Sequence, residues 1–198
     1  MNLNLGQDLV PLMLTNKAAL ITRGSQDSES LEIKLRALSL NPLVDPLIKV
    51  TFLKGTELKL EGVQALLMTS ANGVRAFVKR SKSRNLIVYA VGDGTANEAK
   101  NQGFSSVKSA SGDVVALTKL VKKFVKPENG LLYHIRGSHV AGNLKQQLIL
   151  HGYKYRSDIL YRVTEAERFS QHTITSFYAR KIGAVLLYSP RTAKIFCK

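Results

Sequence analysis

Acid is scarce in this chain. Fourteen aspartates and glutamates stand against 29 lysines and arginines, a net charge of +15 over 198 residues. That imbalance gathers anions around the protein. Alone it does not choose among nucleic acid, an acidic membrane and a small polyanionic metabolite. Cysteine is scarcer still. The single thiol, Cys197, cannot form an internal disulfide, and no Cys/His spacing suits zinc. An intracellular, cytoplasmic chain without a metal is expected. Long apolar runs are missing too. The stretch LVPLML near the start is too short to cross a bilayer and has no basic region before it. No signal peptide or membrane partner is expected, and residues 1–16 read as a loose extension or an over-called start.

Other absences are local. In MTSANGVRAF (68–77), no histidine or carboxylate lies within several residues of Ser70 to activate it. The stretch reads as a strand ending in a small polar turn that opens a helix. Ser70, Asn72 and Arg75 could reach one ligand from there, or Ser70 and Asn72 could simply cap the helix. In GDGTAN (92–97) the third glycine of a dinucleotide turn is replaced by Asn97, so NAD and FAD are not expected. Thr95 there is a plain cap or a ligand contact. The basic run KRSKSR (79–84) lacks interleaved aromatics and reads as a solvated loop rather than a nucleic-acid patch. His134, His139, His151 and His172 follow no ligand spacing and read as structural or exposed.

What is present is repetition. The segment from Ala19 matches the segment from Leu132: Arg23-Gly24-Ser25 falls on Arg136-Gly137-Ser138, Leu31 and Leu35 on Leu144 and Leu148, and Asp45 on Asp158. Each reads as strand, Arg-Gly turn, amphipathic helix and extended strand, with Leu31, Leu35 and Leu38 on one helical face. Gly152 suits a helix C-cap. A second pair joins VQALLMTSANGVRAF (from Val63) to IGAVLLYSPRTAKIF (from Ile182), so that Ser70 falls on Ser189 and Pro190 enters a first helical turn. NLIVYAVGDGTANEAKNQGF reads as a strand (87–91), a glycine turn and a helix ending at Gly103. SGDVVALTKLVKKF reads as a helix with Val114, Leu117, Val121 and Phe124 on one side. The partner of the glycine turn in the second repeat would fall beyond Lys198, so by its own symmetry the chain is expected to lack its last part.

Strands alternating with helices give an α/β class with parallel sheets, and two repeats give two similar lobes. Ligands of open α/β sheets sit at the carboxyl ends of the strands. The turns at Arg23-Gly24, Thr69-Ser70-Ala71-Asn72-Gly73, Gly92-Asp93-Gly94-Thr95, Arg136-Gly137 and Ser189-Pro190 are all read there, each opening a helix whose N–H groups suit a carboxylate or phosphate. The Ser70 turn thus reads as an anion clamp.

Taken together, LLMTSANGVRAF, VYAVGDGTANEA, RG before a helix with GYKYRSDILYRVTEA, and VLLYSPRTAKIF resemble uroporphyrinogen-III synthase, from about Ala18 onward. The resemblance implies two doubly wound parallel-sheet lobes joined by a two-stranded connector. One is a discontinuous terminal lobe (1–48 and 162–198); the other is an inserted lobe (49–161). It implies a monomer without cofactor or metal whose substrate is hydroxymethylbilane, a linear tetrapyrrole with eight carboxylates. The enzyme removes water, inverts the last ring and closes the macrocycle. Loss of hydroxide is helped by the electron-rich pyrrole, and regiochemistry comes from holding the chain. By position the resemblance places Thr69, Ser70, Ala71, Thr95 and Ser189 on the substrate, with Arg23, Asn72 and Arg136 as further contacts. Tyr161 becomes the acid that assists hydroxyl loss. Family members continue past the Ser189 turn with a strand, a Gly-x-x-Thr-Ala turn and a helix. This chain is therefore expected to have an incomplete terminal lobe with an exposed sheet edge, and weak or absent activity. The alternatives are a non-catalytic tetrapyrrole-binding remnant and a basic nucleic-acid-binding protein.

Overall fold

A computed structural model describes residues 17–139 and 142–198, with backbone alone at 25–27. The segment 1–16, read as an extension, lies outside the described residues. The chain forms two compact units, Val50–Val163 and the flanking segments Met1–Lys49 with Thr164–Lys198. As the alternation of strands and helices implies, the class is α/β with parallel sheets.

The flanking unit holds β1 (Ala18–Ile21), α1 (Ser25–Ala37), β2 (Asn41–Val44), α6 (Gln171–Tyr178), β9 (Ile182–Leu186) and α7 (Pro190–Phe196). Its described strands form one sheet in the order β2-β1-β9, with both pairings parallel. β1 is buried along its whole length because it is the central strand. Phe169, Phe177 and Phe196 pack as three rings with centroids 5.8–6.3 Å apart. The leucine face read on α1 is only partly realised. Leu31 and Leu35 are half-buried, but Leu38 is exposed, because the helix ends at Ala37 and Leu38 has left its face.

The second unit contains β4 (Val63–Met68), α2 (Ala71–Val78), β5 (Ile87–Ala90), α3 (Asp93–Asn101), β6 (Val107–Ser109), α4 (Val114–Phe124), β7 (Leu131–Gly137) and α5 (Leu144–Leu150). β3 (Ile48–Phe52) and β8 (Lys154–Glu165) complete its sheet, in the order β3-β8-β7-β4-β5-β6. Leu53 N–H donates to Leu160 O and Ala166 N–H to Leu47 O, so β3 runs against β8. The pairings of β4 with β5 and β7, of β5 with β6 and of β7 with β8 are parallel.

β4 shows why this sheet is buried on both sides. Leu66 and Met68 pack with Val74 and Phe77 of α2, while Ala65 and Leu67 pack with Leu117 and Val121 of α4 and Leu144 and Leu148 of α5. Successive side chains of a strand point to opposite faces, and helices cover both, so the strand reads as an unbroken apolar run. Phe124, expected with Val121, is instead half exposed and lies under the ammonium groups of Lys108 and Lys123. At the last turn of α4 it lies beyond the core its helix covers.

Two glycine and proline readings hold. Gly152 closes α5 at φ +79°, and Pro190 is the first residue of α7. The Arg136-Gly137 turn is different: β7 runs through Gly137, and α5 begins only at Leu144. Unlike Arg23-Gly24, this pair ends a strand and does not open a helix.

Candidate active site

The strand order locates a crevice. β4, β5 and β6 step outward one way, and β7 then returns to the other side of β4. The helices that follow β4 and β7 lie on opposite faces of the sheet, α2 on one and α5 on the other. A gap therefore opens between the carboxyl ends of β4 and β7, where ligands of such sheets bind. Thr69-Ser70 leaves one side of it and Arg136-Gly137-Ser138 the other.

At the β4 corner, Ser70 is the N-cap of α2 and its Oγ accepts from Asn72 N–H at 3.1 Å. The capping reading of Ser70 is therefore correct. Ala71 opens the helix, and no acid occupies its first turn, so the helix carries no carboxylate of its own against its positive end. Gly73 lets α2 approach β7: a Cβ there would stand 3.0 Å from Ile135 O. Asn72 Oδ1 accepts from Arg75, which also pairs with Glu98 of α3 at 2.9 Å. These groups tie α2 to α3.

The glycine turn after β5 carries its own charge. Asp93 starts α3, and its carboxylate accepts from Ser111 at 2.8 Å. Hydrogen bonds from Ser109 and Ser111 hold its pKa below the usual carboxylate range. An anion at this helix start would face that carboxylate. Thr95 is buried in the first turn and is not the cap, which is Gly92.

Tyr161 comes to the crevice through a bulge. Arg136 pairs with Ile159 and Gly137 with Tyr161, so Leu160 is skipped. A bulge lets consecutive side chains share a face, and Leu160 and Tyr161 both enter the cluster under α2. The ring lies directly on Gly137, where a Cβ would be 2.7 Å from Cε2. Burial pushes the phenol pKa up; hydrogen bonding with Ser70 and the Gly137 backbone pulls the other way. Ser70, Gly137 and Tyr161 are thus one constellation assembled from three strands.

A second polar set lies on the other face of the same strands. His134 is fully buried. Its Nε2 lies 3.2 Å from Thr69 Oγ1 and its Nδ1 2.6 Å from Tyr155 Oη. Burial, helped by the Arg136 charge, lowers its pKa to about 4. The structural reading of His134 is right, but its partners, distant in sequence, were not visible. Arg136 donates through Nε to Ser157 Oγ at 3.3 Å and to Gly137 O at 3.2 Å.

A consequence for stability follows from His134. The unfolded chain takes up this proton near pH 6.5, while the folded chain refuses it until about pH 4. Stability is therefore fully present above pH 6.5 and is lost as pH falls through that window. The expected loss from this group is about 2 kcal/mol between pH 6.5 and pH 5. Urea unfolding of the wild type and of His134→Asn checks this: the variant should lack that part of the pH slope.

In the flanking unit, Ser189 caps α7, accepting from Thr192 N–H at 3.1 Å, and again no acid lies in the first turn. The Arg23 guanidinium sits 4.8 Å from the Tyr188 ring centroid, beside that cap. Two arginines of the basic run 79–84 are used internally rather than solvated. Arg80 donates to Thr56 O and Leu53 O, and Arg84 to Gln102 O, Ser81 O and Ser83 O. Among the described residues no group of three or more His, Cys, Asp or Glu gathers where it could hold a metal ion. No helix among them is long and apolar enough to cross a membrane.

Comparison with known structures finds the same architecture. A uroporphyrinogen-III synthetase from Helicobacter pylori superposes with a TM-score of 0.57 at 17% identity, covering 91% of this chain and 77% of that one. A mutant uroporphyrinogen III synthase from the extreme thermophile Thermus thermophilus gives 0.52 at 16% identity, covering 90% and 75%. A search of curated proteins found no match. At these identities the structures speak for the fold. The sequence speaks for the family: the model described as uroporphyrinogen-III synthase HemD matches residues 29–198. This chain belongs to the uroporphyrinogen-III synthase family, the cyclising lyases of tetrapyrrole biosynthesis.

Proposed function

We propose that the chain converts hydroxymethylbilane to uroporphyrinogen III, and that the carboxyl edge of the β4–β7 sheet grips the substrate. The observation that carries this is the corner at Ser70: a helix start without an acid in its first turn, next to a buried phenol that lies against Gly137. Carboxylates of a linear tetrapyrrole are held there by the amides of Ala71 and its neighbours; Ser70 and Thr69 shape the corner through their bonds to Tyr161 and His134, and Arg136, on the other face of the sheet, offers a cation to further carboxylates. Asn72 orients through its bond to Arg75. Thr95 shapes the neighbouring corner. Arg23 and Ser189 have the same carboxylate-holding role in the flanking unit. The +15 charge steers the polyanion. The protein is read as a cytoplasmic monomer that needs no cofactor, as the family resemblance implies.

Tyr161 supports departure of the hydroxyl. Its pKa is raised, so the phenol stays protonated and serves as a hydrogen-bond donor. A stronger acid is not needed, because the pyrrole nitrogen expels the leaving group and forms an azafulvene cation. What the protein adds is geometry: the substituted carbon of the last ring must attack before the free carbon does.

The test is direct. The protein is mixed with hydroxymethylbilane and the oxidised products are separated by isomer. Type III is the expected product; type I alone, at the spontaneous rate, rejects the reading. Tyr161→Phe should lower kcat roughly tenfold with KM little changed, since it removes a donor and not the grip.

A further inference from the structure

Beside the Thr69–His134–Tyr155 set lies a cavity of about 360 Å³ lined by Arg136, Asn143, Lys145, Gln146, Tyr155 and Ser157, with Gly142 and Leu144 completing the wall. It lies on the α5 side of β7 and β8, across the sheet from Ser70 and Tyr161. Its lining has two cations, two hydroxyls and two amides, and no acid. The Ser157 oxygen accepts from Arg136 Nε, and its hydroxyl is hydrogen-bonded to Tyr155, which it helps to orient. The volume falls at the small end of ligand pockets, which run from roughly 300 to 1,000 Å³. It suits one ring with its acidic arms and excludes a whole tetrapyrrole.

We propose that this cavity is a subsite for a single pyrrole ring of the substrate. Lys145 and Arg136 take its carboxylates, and the Tyr155 hydroxyl, held in place by Ser157, completes the contacts. The proposal rests on the tetrapyrrole reading above and extends it to residues that the family resemblance did not mark: Lys145, Tyr155 and Ser157. The hydrogen-bond chain gives the subsite a route to the crevice. A carboxylate accepts the Tyr155 proton. His134 Nδ1–H then donates to Tyr155 Oη, and Nε2 accepts from Thr69 Oγ1. His134 stays neutral throughout, and an occupied cavity fixes the direction in which the Thr69 hydroxyl points. His134 is a positioning residue in this scheme.

The probe is a free pyrrole bearing one acetate and one propionate arm, titrated into the full chain by calorimetry. Saturable binding is expected, weakened about tenfold in Lys145→Gln and lost in Lys145→Glu. Lys123→Gln removes the same charge from the far end of α4 and should leave the affinity unchanged. Equal weakening by Lys123→Gln, or no saturable binding to the wild type, overturns the subsite. A second readout is the nitrogen spectrum of His134. Bound ligand should place the proton on Nδ1; a spectrum indifferent to ligand overturns the coupling. The two readings separate cleanly. Type III product from Lys145→Glu with unchanged KM sinks the subsite and spares the cyclase. Probe binding lost in Lys145→Glu, in a protein that yields only type I, keeps the subsite and removes the cyclase.

Discussion

Gly137→Ala should lower kcat/KM for type III formation about a hundredfold, with more of the product appearing as type I. The added methyl would stand 2.7 Å from Tyr161 Cε2, 2.8 Å from Cζ and 3.2 Å from Oη. Something has to move, and it is the ring, because Gly137 is fixed by the β7–β8 ladder. The ring is itself packed among Leu160, Val74 and Phe77, so it tilts away from the glycine and carries its phenol off the Ser70 hydroxyl. A misplacement near an ångström at a reacting centre costs on the order of 10² in rate. Overpacking also costs about 1–3 kcal/mol of stability, so the assay is made well below the unfolding midpoint. The double variant with Tyr161→Leu should recover stability without recovering isomer control. Gly92→Ala is the matched control: nothing lies within 4 Å of its Cβ, and neither rate nor product ratio should change. A Gly137→Ala protein with wild-type isomer ratio would mean that Tyr161 does not set the reacting geometry.

Gly130→Ala should destabilise the protein by about 4 kcal/mol, the sum of backbone strain and overpacking, and lower the melting midpoint by roughly 10 °C. Gly130 has φ +140° and ψ −159°, a region used essentially by glycine alone. A Cβ there would lie 2.7 Å from the Gly62 carbonyl, which accepts from Leu131 N–H at 2.8 Å. That bond joins the starts of β4 and β7, and Gln64 Nε2 secures the same turn by donating to Gly130 O. A methyl group thus strains the turn and prises apart the two central strands. Gly62→Ala is the comparison. Its φ is +71° but its Cβ meets nothing within 4 Å, so only the left-handed penalty of roughly 1–2 kcal/mol applies. Thermal unfolding of both variants distinguishes the terms; equal midpoints would show that the clash is relieved by backbone movement.

Local chemistry was legible in the residues. Gly152 as a helix stop, Pro190 as a helix start and Ser70 as a cap each follow from the backbone needs of one turn. The apolar run VQALLM announced a central strand because both its faces are covered. What escaped was whatever two distant strands make together. The bulge at Leu160 exists only through pairing with Arg136 and Gly137, and without it Tyr161 would face the other side of the sheet. His134 and Thr69 are far apart in the chain, so their contact had no sequence signal. The cavity at Lys145 joins a helix start to the middle of β8 for the same reason. The internal repeat also misled at one point. Arg136-Gly137 matched Arg23-Gly24 in letters, yet it ends a strand seven residues before its helix begins, while the other opens a helix at once. The cap reading of Thr95 failed for a related reason: the helix begins two residues earlier, with Gly92 as its cap.

The most direct measurement is amide chemical-shift mapping of the isotope-labelled chain with uroporphyrinogen III. The corners on either side of the crevice are predicted to respond, Thr69 to Gly73 and Arg136 to Ser138. Shifts gathered instead at the opposite edge, around Gly62, Asn85 and Gly130, would contradict a carboxylate grip at the carboxyl ends of the strands.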